Sequence, residues 1–382
     1  MKVLTNIRFY TVGGIAQYLS NFILHNERRG SAALNIFGID VVLPGAIQST
    51  PSPELQAARR FCLITKEVAY PPIADTVKAA SSIEKVRATY MPVIDAYYSA
   101  ILEVQPDVIL INGTFYLPWC LLQAARRYGR ARIILHYHGV LTKEVEHWKE
   151  EGAKQMFREM EREFDMSGIS YIFPSHHALH TVEREVYGHS IAQATVLPNP
   201  VPDSFFKRPK RVSGRIIGFV SRWTRVKNPE FFISLARHNR TTDAGYDIHA
   251  IVDVKKSAPH YRRVASLFKL SPPVENKLLP TFYRKLGALI MPSYFETYGN
   301  VAQEALASGI PVLVSPHTGF SETLRTIGLE NWITDFSSPA DVLVKIEEAI
   351  RIGVPHESWR QLRAQFTNEP IFARYANLLA GK

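Results

Sequence analysis

Two hydrophobic rhythms alternate along the chain. One is the short apolar or β-branched run: residues 2–5, 34–37, 108–111, 133–136 and 171–173, then 215–220, 247–252, 288–291 and 311–314. Runs of this length bounded by turn residues predict buried strands. The other is the three-or-four spacing of an amphipathic helix. It is clearest over residues 82–102, where Ile83, Val86, Tyr90, Val93, Ile94 and Tyr97 define one apolar stripe. Strand and helix signals taking turns predict α/β domains with parallel sheets. In such sheets ligands bind outside the carboxyl ends of the strands, so the loops there are the places to look for chemistry.

The rhythm breaks once. Pro198, Pro200 and Pro202 fall within five residues, followed by the basic stretch Lys207-Arg208-Pro209-Lys210-Arg211. Proline there can continue neither a helix nor a central strand. The chain is therefore read as a domain over 1–200, a linker over 201–213, a second domain over 214–366 and a closing segment over 367–382. At 382 residues with 46% hydrophobic side chains, two domains can each bury a core. The two cysteines, Cys62 and Cys120, exclude a disulfide framework and fit a reducing compartment. No apolar run is long enough to span a bilayer and no signal peptide is visible. A cytoplasmic protein is expected, at most peripheral at the inner face of the membrane. The formal charge of +10 is uneven: residues 1–200 carry 20 basic and 19 acidic side chains, residues 201–382 carry 25 and 16. A basic second half favours an anionic partner such as a phosphorylated small molecule.

Candidate chemistry gathers at predicted strand ends. Gly13-Gly14 precedes a helix, where free amides and a partial positive charge accommodate phosphate. His136 and His138 end a strand two residues apart and so face one way. A hydrogen-bonding role for His138 is preferred there to packing, and both to metal binding. In Ser221-Arg222-Trp223-Thr224-Arg225-Val226-Lys227, Arg222 and Lys227 follow the first strand of the second half, a suitable place for a diphosphate clamp. Finally, residues 292–314 read strand, loop, helix, turn, strand. Glu296 lies in the loop, Gly299 allows close approach, and Glu304 sits on a helix that Gly309 ends. Two carboxylates eight apart can hold hydroxyls at two places on an elongated ligand. The amides of Tyr298, Gly299, Asn300 and Val301 can meet phosphates between them.

The segment Glu296-x(7)-Glu304-Ala305, with Gly309-Ile310-Pro311-Val312, resembles the signature of the retaining glycosyltransferases of family 4. Other stretches resemble that family in the same order: Gly13-Gly14-Ile15, His138-Gly139, Leu197-Pro198-Asn199-Pro200-Val201, Arg222 with Lys227, and Phe320-Ser321-Glu322. The resemblance implies a GT-B fold, two Rossmann-like domains facing across a cleft, with a final helix near 369–379 returning to the first domain. It implies transfer from a nucleotide-sugar donor, with a UDP-sugar expected, to a glycan or lipid-linked acceptor. Arg222 and Lys227 would stabilise the leaving diphosphate, and Glu296 and His138 would act at the donor sugar. Glu304 would take the ribose, and Leu279, with the Gly13, Gly14 and 298–301 amides, would line the donor. Thr114, Phe115 and Tyr116 are expected to meet the acceptor. No D-x-D occurs, in line with metal-independent transfer and no cofactor beyond the co-substrate.

Two departures bear on the nucleotide. Val252-Asp253-Val254-Lys255-Lys256 stands where the family often has G-x-G, and Lys277-Leu278-Leu279-Pro280 where it often has F-x-G. Competing readings are another GT-B sugar-nucleotide enzyme, such as an epimerase or phosphorylase, and a catalytically silent sugar-nucleotide or membrane-binding protein. A nucleic-acid partner ranks last, because basic and aromatic residues do not interleave on one face. The pairs Arg28-Arg29, Arg59-Arg60 and Arg126-Arg127 give reversible contact with anionic membrane a physical basis.

Overall fold

The computed structural model describes residues 1–9, 14–46, 50–206, 214–254, 257 and 261–382. Gly13, residues 207–213 of the expected linker, and Lys255-Lys256 lie outside them. The chain falls into two compact units, Met1–Pro198 with Asn368–Lys382, and Asn199–Thr367.

The first unit is a seven-stranded sheet. Its strands are β1 (Lys2–Asn6), β2 (Asn35–Val42), β3 (Phe61–Glu67), β4 (Val108–Asn112), β5 (Arg132–His136), β6 (Ile169–Phe173) and β7 (Ala194–Val196). Every pairing is parallel, in the order β3-β2-β1-β4-β5-β6-β7. In register, Val3 lies opposite Ile36 on one side and Val108 on the other. The central strand β4, Val-Ile-Leu-Ile-Asn, is buried throughout, as a parallel strand covered on both faces must be. The order reverses between β1 and β4, which makes the crevice above them the topological switch point.

The second unit repeats the plan with β8 (Ile216–Ser221), β9 (Asp247–Val252), β10 (Lys269–Ser271), β11 (Ala288–Met291) and β12 (Val312–Val314), again all parallel, ordered β10-β9-β8-β11-β12. Its switch point lies between β8 and β11. Residues 201–206, read as linker from their prolines, are built into this unit. Val201 bridges Thr367, and Phe205 is in the core. Burying an aromatic of that size is worth about 2–3 kcal/mol, enough to hold a proline-rich segment against a domain.

Two further expectations change. The single helix over 82–102 is two helices, Ile83–Thr89 and Met91–Val104, joined at Tyr90. Pro92 has no amide to donate to the preceding turn, so the hydrogen-bond ladder breaks there and a new helix starts with proline in its first turn. The buried Tyr90 ring holds the joint, its hydroxyl donating to the Pro71 carbonyl at 2.7 Å. Strands β3, β7 and β10 were not among those read from the sequence, and all three are edges of their sheets. The last helix, Asn368–Ala380, packs on helix Gly14–Arg28: the rings of Phe22 and Tyr375 meet edge-on at 4.8 Å, those of Tyr18 and Phe372 at 5.2 Å.

Close backbone approach limits the second sheet's tolerance. The Gly287 amide donates to the Ile216 carbonyl at 2.8 Å. A β-carbon on Gly287 would lie 2.0 Å from the Gly214 carbonyl oxygen and 3.0 Å from Ile350 Cδ1. Since the obstacle is backbone, strands must part to relieve it. Gly287→Ala should cost about 2–3 kcal/mol, read as a lower denaturant midpoint of the second unit in chemical unfolding; an unchanged midpoint would refute this packing.

Candidate active site

In the second unit the loops after β8 and β11 are sewn together. After β8 a short 3-10 turn, Arg225–Lys227, ends at Asn228, which takes a left-handed conformation (φ 51°). Asparagine tolerates that region better than most residues. Its side chain then caps helix Pro229–Thr241, accepting from the Phe231 amide at 3.2 Å, while its Nδ2 donates to the Pro292 carbonyl at 3.1 Å. The Tyr294 amide donates to the Val226 carbonyl at 2.8 Å. These bonds bring Lys227 Nζ to 2.7 Å from Glu296 Oε1, in an ion pair with only 11% and 19% of the two side chains exposed. The loop after β12 supports Glu296 from behind: its amide donates to the His317 carbonyl at 3.1 Å, and its carbonyl accepts from the Gly319 amide at 3.1 Å.

Gly299 (φ 113°) opens helix Asn300–Ala307. A β-carbon there would meet Thr318 Cγ2 at 2.8 Å and Met291 Sδ at 3.1 Å, so glycine is required both by the dihedral and by the space. First-turn amides such as those of Asn300 and Val301 have no acceptor within their own helix. The Tyr298 side chain does not face a ligand. It is buried, bonded to Thr323 Oγ1 at 3.1 Å and accepting from Gln303 Nε2 at 3.1 Å, which leaves only its backbone for the expected role.

Glu304 is half-buried on the same helix and accepts from the Tyr283 hydroxyl at 2.9 Å. Burial raises its pKa to about 7, against which that hydrogen bond pulls weakly. Leu279, half-buried, begins helix Leu279–Tyr283, which carries this tyrosine. The two glutamates thus have separate partners, Lys227 and Tyr283. Arg222 stands apart from Lys227 in environment: it is exposed, one residue beyond β8, beside the Trp223 amide that donates to Asp253 Oδ1 at 2.6 Å.

In the first unit the strand ends carry a polar relay. Asn112, the last residue of β4, donates from Nδ2 to Thr5 Oγ1 at 2.6 Å, so its Oδ1 is the atom that meets His138 Nε2 at 3.2 Å. An amide oxygen only accepts, so the His138 proton sits on Nε2 and that nitrogen's donor capacity is spent on Asn112. Burial lowers its pKa to about 3, and His136, whose ring centroid lies 4.0 Å away, is likewise held neutral by burial. His136 Nδ1 pairs with the Tyr375 hydroxyl at 3.1 Å.

Of the three expected acceptor contacts, Thr114 is buried, and its hydroxyl donates to Glu161 Oε1 at 3.2 Å. It therefore presents nothing to a ligand, a correction. Glu161 also accepts from the Leu141 and Thr142 amides at 2.7 and 2.6 Å, so this buried carboxylate ties the loop after β4 to the start of helix Leu141–Val145. Burial raises its pKa. Phe115 is 41% exposed and stacks on Phe157 with centroids 5.4 Å apart, whereas Tyr116 lines a cavity. Gly14 is exposed at the start of its helix. Among the described residues no group of three or more His, Cys, Asp or Glu is placed to hold a metal ion.

Several residues of these arrangements escaped the sequence reading. Asn228 had a usable signal, an asparagine directly before a helix-starting proline. Asn199, whose Nδ2 donates to Asn300 Oδ1 at 2.9 Å and whose carbonyl accepts from Gln303 Nε2 at 3.0 Å, was read as the end of the first domain and belongs to the second unit. Tyr283 and Glu161 had no local signal.

Two parallel α/β units with charged loops at the switch point define the class of the protein as a GT-B fold. Known structures agree over their whole length: sucrose-phosphate synthase from Thermosynechococcus elongatus (TM-score 0.76, 16% identity, all of both chains) and HepE of Anabaena in complex with UDP-glucose (0.71, 12%, all of both chains). Residues 201–367 match the family described as "Glycosyl transferases group 1". The match lies within the second unit and covers less than half of the chain. Among curated proteins, a D-inositol 3-phosphate glycosyltransferase of Geodermatophilus obscurus is 32% identical over 87 residues, 23% of this chain and 19% of that protein. One from Nocardia farcinica is 30% identical over 122 residues, 29% and 27% of the two. The aligned stretch thus spans under a third of the length of these curated relatives.

Two expectations follow. Glu304, with its pKa above the ordinary 4.5, is protonated preferentially in the folded state, so its contribution favours folding at low pH and is lost as pH rises toward and through 7. Glu304→Gln should leave stability unchanged near pH 4 and raise it by about 2 kcal/mol at pH 8, measured by denaturant unfolding at both pH values. Independently, the His138 imidazole should stay neutral at pH 5 with its proton on Nε2. Nitrogen-15 histidine spectra report this directly, and an imidazolium signal, or the other tautomer, would contradict the relay.

Proposed function

We propose that the protein is a retaining glycosyltransferase that moves a sugar from a nucleotide-sugar, a UDP-sugar first among candidates, to a hydroxyl of a glycan or lipid-linked acceptor. The observation that carries the reading is the Lys227–Glu296 pair at the switch point of the second unit, within the stretch matching the group 1 family. UDP-glucose in the complex of the similar Anabaena HepE supports the choice of donor base.

In the proposed reaction the bond from the anomeric carbon to the β-phosphate oxygen breaks, and the acceptor oxygen bonds to that carbon. The acceptor's proton leaves with the nucleoside diphosphate. Charge grows on the β-phosphate oxygen, and fixed cations and amides aimed there lower the barrier most. Lys227, assisted by Arg222 and by the amides at 299–301, takes this part, which needs no metal ion. Glu296 would hold donor-sugar hydroxyls, and Glu304, as carboxylate, the ribose. His138, neutral and oriented by Asn112, would face the sugar without adding charge. The acceptor would be held by the first unit. No helix among the described residues is long and apolar enough to cross a membrane, and Arg126 and Arg127 already meet Glu163 and Asp95. Any membrane contact is therefore assigned to reversible surface binding.

Calorimetric titration with UDP-, GDP-, ADP- and CMP-sugars tests the donor site. One nucleotide should bind saturably, and Lys227→Ala should weaken it at least tenfold and lower turnover by about 10²–10³. Equal affinity in wild type, Lys227→Ala and Arg222→Ala would remove the phosphate clamp.

A further inference from the structure

Three of the four outer sheet edges are protected. β7 and β10 are only three residues long, and β10 opens on Lys269 and runs into Pro272-Pro273. The outer side of β12 is covered where Val314 bridges Ile333. Short strands, charge, proline and covering segments are the usual means of stopping an edge from pairing with another chain. β3, the outer strand of the first unit, is different. It keeps an unbroken seven-residue register with β2, from Ile36 opposite Phe61 to Val42 opposite Glu67, with no bulge and no proline. Its two charged residues, Lys66 and Glu67, have opposite signs, and Lys66 is paired with Glu103.

The hydrogen bonds at the two ends of this register identify the groups left over. The Ile36 amide donates to the Arg60 carbonyl, and the Val68 amide to the Val42 carbonyl, each at 2.8 Å. In a parallel pair every second residue turns both backbone groups to its neighbour. Cys62, Ile64 and Lys66 therefore face β2, while Leu63 and Thr65 turn amide and carbonyl outward. Among the described residues nothing bonds to those outward groups. Cys62 is exposed, and Leu63, Ile64 and Thr65 are half-buried. Such a row is a template for one more strand, with main-chain bonds supplying affinity and alternate side chains selecting the partner.

The strand that fits is β3 itself. Two copies running antiparallel about a two-fold axis through Ile64 set Leu63 of each opposite Thr65 of the other. Each such pair exchanges two hydrogen bonds, so every outward group of Leu63 and Thr65 on both copies gains a partner. Ile64 then meets Ile64, Cys62 meets Lys66, and no like charges stand opposite each other. Arg59-Arg60, just before the strand, runs alongside the end that carries Glu67 of the second copy. Residues 1–200, with 20 basic and 19 acidic side chains, add almost no repulsion between copies. We propose that the chain forms a two-fold dimer by edge-to-edge pairing of β3 in this register, which joins the two seven-stranded sheets into one continuous sheet. The pairing is independent of the proposed reaction.

Sedimentation equilibrium of the full chain should report twice the chain mass. In Thr65→Pro the ring removes an outward amide and no bond to β2, and an edge strand accepts proline where its nitrogen faces away from the neighbouring strand. This variant should sediment as a monomer with unchanged far-UV circular dichroism. A covalent test keeps the interface intact and decides the matter even where Thr65→Pro does not fold. Cys62 and Lys66 of the second copy form a non-hydrogen-bonded pair, in which the Cα atoms come within disulfide range. Within one copy the same positions lie about 13 Å apart along the strand. Oxidised Lys66→Cys should therefore run as a dimer without reductant and as a monomer with it. Wild type, and Cys62→Ser combined with Lys66→Cys, should not cross-link, because Cys120 is buried. A monomeric wild type would leave the edge to a different protein and overturn the proposal. So would a dimer indifferent to Thr65→Pro, oxidised Lys66→Cys without the covalent dimer, or equal cross-linking in the controls.

Discussion

A half-buried ion pair needs strong scaffolding, and Lys227 with Glu296 is the contact around which the second unit is arranged. Drawing an ammonium and a carboxylate partly out of water costs several kcal/mol per ion unless geometry and further hydrogen bonds repay it. Here the repayment is structural. The lysine loop ends in a left-handed asparagine that caps the next helix, and a backbone bond from Tyr294 to Val226 fixes one loop against the other. The glutamate loop is held by the segment after β12 and by a glycine that no larger residue can replace. The pair also keeps the lysine charge compensated within the fold.

The first unit solves a different problem. Its strand ends carry buried polar groups with no opposite charge beside them. Glu161 is held by two amides and a hydroxyl, and His138 by an asparagine oriented through Thr5. Burial keeps both histidines neutral and draws the glutamate toward its protonated form. Networks of this sort fix orientation more than they add stability. The result is a set of strand-end loops pinned to one another from within.

The sequence disclosed what periodicity and local chemistry encode. Central strands such as β4 and β11 are apolar runs because both of their faces are covered, and they were legible as such. Edge strands such as β3 and β10 have one neighbour and mixed exposure, which blurs the pattern. The helix over 82–102 was overextended because apolar spacing persists through Tyr90 although Pro92 interrupts the backbone. Among candidate residues, Glu296, Gly299 and Glu304 were singled out from spacing within one stretch, and Lys227 from its place after β8. Partnerships between distant residues were not. Nothing near Glu304 announces Tyr283, and nothing near Thr114 announces Glu161, since those contacts exist only once strands far apart in sequence lie side by side. The 201–206 segment shows the converse error: proline content excludes helix and central strand but says nothing about whether a segment is packed.

The charge distribution joins these observations. The first half of the sequence is nearly balanced, and its cations are met locally: Arg87 and Arg126 by Glu163, Lys66 by Glu103, Lys143 by Glu146 and Glu185. The second half carries the excess, and at its switch point a lysine is held by a single carboxylate. A net positive field over the unit raises the local concentration of anions at low ionic strength, whereas the balanced first half adds no such field, so the two halves differ in the charge of the partners they draw from a distance.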